Sequence, residues 1–491
     1  MKKTVTLSKS KILSGLQCPK KLYLETHHPD LATADTAGTQ RIDVGYAVGN
    51  VARGLYPGGV LIELESGELH QAISLTRELL AKGAATPLFE ATFKHAGVVV
   101  RTDILRPSPD GCHLIEIKSA TQRKDYHLKD CAVQYWVIES AGCPLAKVEL
   151  GLIDSSFVFP GDGNYGGLFR YEDVTEEARR MALEAPAWAE DLAGMLTGSI
   201  PVVEVGGHCH DPFDCPFVDY CTPEEPEYPV SCLPRAGALI EELLAEGVLD
   251  IRDIPEGRLE KPVHQRIRRA TIAREAEVSP GIAQELSGLA RPWFYLDFET
   301  IQFAVPIWAG TRPYEQLPFQ WSCHIGDAPG GLRHEEFLDL SGEAPMLRFA
   351  EALLETIGSV GPIFVYSHFE KRILRELSER FPLLRQYILA VIDRLVDLLP
   401  IMRNHYYHPD MLGSWSIKAV LPTIAPELDY GKLEEIQNGT AAQAAYLEGI
   451  SSETSQARRE VLRERMLKYC EMDTLGMVKI VQFVRAGNSL S

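Results

Sequence analysis

The stretch Tyr295-Leu296-Asp297-Phe298-Glu299-Thr300 places two carboxylates one residue apart among aromatic and β-favouring residues. On a strand the side chains alternate faces, so Asp297 and Glu299 project together while Leu296 and Phe298 point the other way. Neighbouring carboxylates on a buried strand repel each other and lose hydration, and a chain tolerates them mainly where a divalent cation neutralises them. The spacing predicts a core strand carrying a metal site, with further ligands from elsewhere in the chain.

At 491 residues the chain is too long for one core, and two to three domains are expected. A hydrophobic content of 45% with 24% charged residues is that of globular material. No apolar run approaches the ~18 residues of a membrane span. The opening Met1-Lys2-Lys3-Thr4-Val5-Thr6 lacks an apolar leader core, so a cytoplasmic protein without membrane contact is expected.

The formal net charge of −19 excludes a protein that coats nucleic acid by bulk electrostatics. It leaves room for a nuclease, in which a local groove and bound cations do that work. Of the ten cysteines, Cys209, Cys215 and Cys221 fall in one short Pro-rich, acidic segment. In a reducing compartment such clustering points to metal rather than to disulfides.

The chain opens with a short helix, a Cys18-Pro19 break and a second amphipathic turn. A further helix is expected over residues 45–53, ending at Tyr56-Pro57-Gly58-Gly59. Strands are predicted over 88–93, 98–105 and 113–118, the last two joined by the turn Pro107-Ser108-Pro109-Asp110-Gly111. In that hairpin Asp103 lies opposite Glu116 within a residue or two, and Glu116 and Lys118 share a face. A helix over 127–139 brings Gln134 to the same sheet. An isolated Glu-x-Lys also fits a solvated edge pair. With Asp103 across the hairpin and Gln134 on the helix, the set resembles the PD-(D/E)XK nuclease core.

That resemblance implies that Asp103 and Glu116 ligate a divalent cation, that Lys118 assists the attacking water and that Gln134 orients the site. Cys18 before this core and Cys209, Cys215 and Cys221 after it extend the likeness. Residues 1 to about 225 resemble the iron–sulfur RecB-type exonucleases, which include the CRISPR-associated RecB-like nuclease and the AddB nuclease domain. In that family four such cysteines hold a 4Fe-4S cluster. Structural zinc is the alternative, although the C-x2-4-C pairs usual for zinc are absent. Many members carry a metal-binding histidine in the early helix, whereas Gly49-Asn50 stands at the matching place, and Glu90 is the candidate substitute ligand.

Residues 226–290 follow the acidic segment Pro223-Glu224-Glu225-Pro226 and read as a helical linker, with helices over 236–246 and 264–277. Residues 243–255 faintly resemble a helix-hairpin-helix nucleic-acid contact, and ordinary helix packing fits equally. The basic run Gln265-Arg266-Ile267-Arg268-Arg269 reads either as a phosphate contact or as a solvated helix face.

Beyond 291 the Asp297-x-Glu299 strand is followed by a strand over 362–366 and by Ser367-His368-Phe369-Glu370 leading into a helix. Far downstream, Tyr469 and Asp473 share one face of a long amphipathic helix. Together these motifs resemble the DEDD (DnaQ-like) 3′-to-5′ exonucleases of the RNase H-like fold. The likeness implies that Asp297, Glu299, Glu370 and Asp473 bind two Mg2+ or Mn2+ ions, with Tyr469 at the water. Glu370 departs from the usual Asp, and Asp393 and Asp397 are spare candidates. Trp415, Tyr406 and Tyr407 are candidates for stacking on unpaired bases, with core packing the alternative.

The expected fold class is therefore α/β. A PD-(D/E)XK restriction-endonuclease-like domain with an iron–sulfur cluster occupies 1–225, a linker 226–290, and an RNase H-like mixed-sheet domain 291–491. The pairing resembles a bacterial family of uncharacterised two-domain nucleases. It implies a cation-dependent nuclease acting on ends or single strands, DNA more readily than RNA, with repair or defence proteins as partners. The rival is a nucleic-acid-binding scaffold or redox-sensing component with one or both sites degenerate.

Overall fold

A computed structural model describes residues 6–33, 36–63, 69–82, 86–222, 224–328 and 330–487. Residues 1–5, on which the absence of a leader was argued, and Pro223 of the acidic segment lie outside the described residues. The chain is α/β and divides into two compact units, Met1–Pro223 with Phe303–Glu315, and Glu224–Gln302 with Gln316–Ser491. No helix among the described residues is long and apolar enough to cross a membrane.

In the first unit the strands are β1 (Leu7–Ser8), β2 (Val60–Leu61), β3 (Leu88–His95), β4 (Val98–Ser108), β5 (Gly111–Lys118), β6 (Leu145–Ile153) and β7 (Phe169–Asp173). They form one sheet in the order β2-β3-β4-β5-β6-β7, with β1 paired to β4. The β4–β5 hairpin turns tightly, Ser108 facing Gly111, and its ladder runs to Ile104 opposite Ile115. Continuing that register sets Asp103 against Glu116, the pairing the sequence predicts. There the Asp103 carboxylate takes over from the ladder and accepts the Ile117 amide at 2.7 Å.

The helices of this unit are α1 (Lys9–Gln17), α2 (Pro19–His27), α3 (Thr36–Gly54), α4 (Leu69–Ala81), α5 (Asp125–Ser140), α6 (Thr175–Met181), α7 (Ala185–Met195) and α8 (Val218–Cys221). Cys131, Val133, Val137 and Ile138 of α5 pack with Leu114, Val148 and Leu150 of the sheet. The segment Phe303–Glu315 joins this unit through Phe159, whose amide donates to the Thr311 carbonyl at 3.0 Å. The Tyr165 hydroxyl donates to the Pro306 carbonyl at 3.0 Å.

In the second unit β9 (Trp293–Ile301), β10 (Leu317–Gly326), β11 (Arg333–Leu338), β12 (Ile363–Val365) and β13 (Leu395–Asp397) make a sheet in the order β11-β10-β9-β12-β13. The first three are antiparallel, and β12 and β13 run parallel to β9. A separate ribbon pairs β8 (Glu277–Val278) with β14 (Tyr406–Tyr407). The helices are α9 (Gly237–Ala245), α10 (Pro262–Ala273), α11 (Met346–Ile357), α12 (Phe369–Arg380), α13 (Arg385–Ile392), α14 (Leu398–His405), α15 (Ile417–Ile424), α16 (Gly439–Ile450) and α17 (Gln456–Ala486).

Several expectations are changed or decided here. Residues 226–290 are part of the second unit rather than a linker, because Leu243, Ile251, Ile254 and Ile267 share a core with Trp293, Tyr295 and Met477. The helix expected to reach 277 stops at Ala273, where Arg274 adopts the left-handed conformation and Glu277 enters β8. The basic run is bonded internally. Arg268 donates to the Ile254 carbonyl at 2.7 Å, Arg266 to the Arg403 carbonyl at 2.7 Å, and Arg269 pairs with Glu277 at 2.9 Å. Tyr406, Tyr407 and Trp415 are buried core residues, and the Trp415 indole donates to the Tyr406 carbonyl at 2.8 Å, so none offers a face for base stacking.

Candidate functional site

The tightest carboxylate group lies in the second unit. On β9 the apolar residues Leu296 and Phe298 enter the core, which turns Asp297 and Glu299 to the opposite face. Helix α17 lies over that face. Its buried positions Leu462, Met466, Tyr469, Asp473, Met477 and Ile480 recur every three or four residues, as one helical stripe requires. Polar contacts fix the helix along its length. Gln320 donates to the Met466 carbonyl at 2.8 Å, and Thr474 shares hydrogen bonds of 2.8 Å with Ser322 and His324. Asp473 is thereby set against β9. Carboxylate oxygens of Asp297, Glu299 and Asp473 lie within 4.8 Å of one another, a spacing one cation can bridge.

Burial raises every carboxyl of this group, and repulsion between carboxylates adds to it at Asp297 and Glu299. Asp297 lies well above its ordinary value, through desolvation first and then Asp473, Glu370 and Glu299. Glu299 is pushed up to about 8 by the same causes. Asp473 rises to about 6 by desolvation, moderated by a 2.6 Å hydrogen bond from the Tyr430 hydroxyl. Without a metal ion to compensate them, Asp297 and Glu299 hold protons at neutral pH.

Glu370 stands at the first turn of α12, next to this trio but outside its 4.8 Å span. Desolvation, with Asp397 and Asp473 nearby, lifts it to about 8, and its Oε2 is buried without a hydrogen-bond partner. Asp397 builds the turn that presents it, accepting from the amides of Ser367 at 3.0 Å and Leu399 at 2.9 Å. Ser367 there takes a φ of 118°, a conformation the sequence alone does not announce. Asp393 is solvent-exposed at the end of α13.

Two groups that sequence reasoning missed complete the site. Lys418 lies 3.3 Å from the Tyr469 hydroxyl and sits over the rings of Tyr430 and Tyr469 at 5.1 and 5.2 Å. Burial and the surrounding acids hold the Tyr469 phenol far above its ordinary value, which keeps it neutral. No local pattern marks Lys418 or Tyr430, which reach the site from a different helix and a turn.

In the first unit Glu116 is buried and saturated by donors. Its Oε1 accepts from Lys9 at 2.7 Å and from Lys118 at 2.6 Å, and its Oε2 from Gln134 at 2.8 Å. Asp130, also missed, accepts from Lys118 at 2.5 Å and from Gln134 at 3.0 Å. Its position four residues before Gln134 on α5 is the signal that would have found it. Desolvation raises Glu116 to about 7, while the two lysines hold Asp130 well below the usual carboxylate range against its own burial.

Among the described residues Glu90, Asp103 and Glu116 do not form a group of three within 4.8 Å, although Asp103 lies near enough to Glu116 to help raise it. Glu90, expected as the substitute ligand, lies 3.6 Å from Arg53 of α3, which also bonds Asn50 at the place of the missing histidine. Glu90 takes a φ of 57° within β3.

The four cysteines line one cavity. Cys18 sits between α1 and α2, extended, with Pro19 opening α2. The Cys215 amide donates to the Cys209 carbonyl at 2.8 Å, and the Cys221 amide to that of Phe217 at 3.0 Å. Gln17 ties α1 to this segment through the carbonyls of His208 at 2.8 Å and Phe213 at 2.6 Å. Among the described residues no three of the sulfurs lie within 4.8 Å of one another.

A model of a domain of unknown function, DUF2779, matches residues 294–416, which include Asp297, Glu299 and Glu370 but not Lys418, Tyr469 or Asp473. No curated protein matches the chain. A solved structure titled "Crystal structure of SSO0001" is similar over 38% of this chain and 78% of its own, at 15% identity and a TM-score of 0.18, a likeness too slight to bear on the fold.

Proposed function

We propose that the protein is a divalent-cation-dependent nuclease of the cytoplasm that hydrolyses phosphodiester bonds at nucleic-acid ends or in single strands, DNA in preference to RNA. The observation that carries this reading is the convergence of Asp297, Glu299 and Asp473 within 4.8 Å. The sheet order β11-β10-β9-β12-β13, with β12 and β13 parallel to β9, supports assigning the second unit to the RNase H-like DEDD exonucleases. Mg2+ or Mn2+ bound here would supply charge neutralisation at the attacking and leaving oxygens. The three carboxylates hold them, Glu370 adds its unpartnered oxygen, and Tyr430 fixes Asp473. Tyr469 and Lys418 present a neutral donor and a cation beside the acids.

For the first unit the reading is an iron–sulfur RecB-type PD-(D/E)XK domain. Its four cysteines, which line one cavity and include no C-x2-4-C pair, support a 4Fe-4S cluster over structural zinc. Anaerobically purified protein is then brown, and its absorption near ~400 nm is lost in Cys215→Ala. A second reading, in which this unit binds nucleic acid without cutting it, is favoured by the Lys9 and Lys118 contacts that occupy Glu116. Hydrolysis of end-labelled single- and double-stranded DNA and RNA tests the whole proposal. EDTA is expected to abolish cleavage, and Asp297→Ala and Asp103→Ala to apportion it between the units. Cleavage that survives the double substitution overturns the assignment.

A further inference from the structure

Two cysteines outside the four-cysteine set lie side by side. Cys112 opens β5 and Cys143 follows α5, and the Cys143 thiol donates to the Cys112 sulfur at 3.2 Å. The backbone around them is already joined, since the Cys112 amide donates to the Pro144 carbonyl at 2.7 Å and Cys112 faces Leu145 across the β5–β6 ladder. Both residues are mostly buried, at 8% and 7% exposure, yet both line the open groove between the Pro107–Gly111 turn and the Gly142–Pro144 loop. A small solute therefore reaches the sulfurs without unfolding the sheet.

We propose that Cys112 and Cys143 form a reversible redox dithiol, closed to a disulfide by low-molecular-weight disulfides such as oxidised glutathione. The Cys112 thiolate attacks one sulfur of the oxidant, whose S–S bond breaks, and one thiol equivalent leaves. The Cys143 thiol then gives up its proton and attacks the Cys112 sulfur of the mixed disulfide, and the second thiol departs. The protein loses two electrons and two protons, and the oxidant becomes two thiols. Cys112 is the first nucleophile because the Cys143 S–H bond stabilises its thiolate, while Cys143 is pushed up. Main-chain bonds fix each partner, Cys112 to the Pro144 carbonyl and Cys143 to the Ile138 carbonyl, with the sulfurs 3.2 Å apart before closure.

The bridge would join the two ends of the segment that carries Glu116, Lys118, Asp130 and Gln134. Its effect is to restrict opening of that segment, as cross-links between distant residues do through the unfolded chain. The inference stands apart from the nuclease reading, since it concerns thiol chemistry alone.

The test treats the full-length protein, purified anaerobically, with oxidised glutathione until the half-buried Cys232 is fully modified. Free thiols are then blocked with N-ethylmaleimide and the peptides mapped. The expected result is a Cys112–Cys143 linked peptide that dithiothreitol releases, together with a higher melting temperature for the oxidised protein. Cys143→Ser is expected to stop at a glutathione adduct on Cys112 and to show no such shift. Recovery of both Cys112 and Cys143 as separate N-ethylmaleimide adducts, or of a lasting glutathione adduct on Cys112 in the unaltered chain, overturns the proposal.

Discussion

Asp297, Glu299, Glu370 and Asp473 are ordinary acids made unusual by company. Glu299 and Glu370 titrate near about 8 in the folded chain against an ordinary 4.5. Between those values the folded protein retains protons that the unfolded chain releases, so the stability they give is full at low pH and is lost as pH rises through the folded value. Calorimetry in chelator is expected to show the melting temperature falling by at least ~2–4 °C from about pH 5 to pH 8. Glu299→Gln should flatten that fall, and Mn2+ should reverse it in the unaltered chain alone. At Lys418, replacement by Met removes the cation facing Tyr469, and kcat of the proposed hydrolysis should drop roughly ten- to a hundredfold. The Asp297-x-Glu299 spacing and the Tyr469/Asp473 face were legible because strand and helix periodicities are local. Lys418 and Tyr430 were not, because only tertiary packing brings them to the acids.

At the scale of elements, the β4–β5 hairpin was readable from its Pro and Gly turn, and the turn fixed Asp103 opposite Glu116. What escaped was the far side of the same network, Lys9 at the start of α1 and Asp130 on α5. These charges are paired in a largely buried setting, with Lys118 and Lys9 both on Glu116. Asp130→Ala leaves the lysines short of a counter-charge, and urea unfolding of the first unit should lose about 3 kcal/mol. Asp130→Asn keeps one acceptor oxygen but sets its amide N–H2 against a donor and lacks the charge, so it should cost a comparable amount. The segment 226–290 misled for a different reason. Amphipathic helices look alike whether their apolar faces meet a neighbouring domain or their own, and only packing reveals that Leu243 and Ile267 belong with Trp293.

Over the whole molecule there are two compact units, and under the proposed function the net charge of −19 would leave bound cations to offset the repulsion of a phosphate backbone. The segment Phe303–Glu315 belongs to the first unit although it follows β9, an excursion that no composition shift announces. Deleting 303–315 should therefore expose Phe159 and Tyr165, and limited proteolysis should cut the first unit faster than in the intact chain. The central claim is that Asp297, Glu299 and Asp473 are a divalent-cation site. Crystals soaked in Mn2+ test it most directly, by anomalous scattering. Peaks bridged by these three carboxylates, and absent from Asp297→Asn crystals, are the expected result. Density beside none of the three at saturating Mn2+ would contradict it.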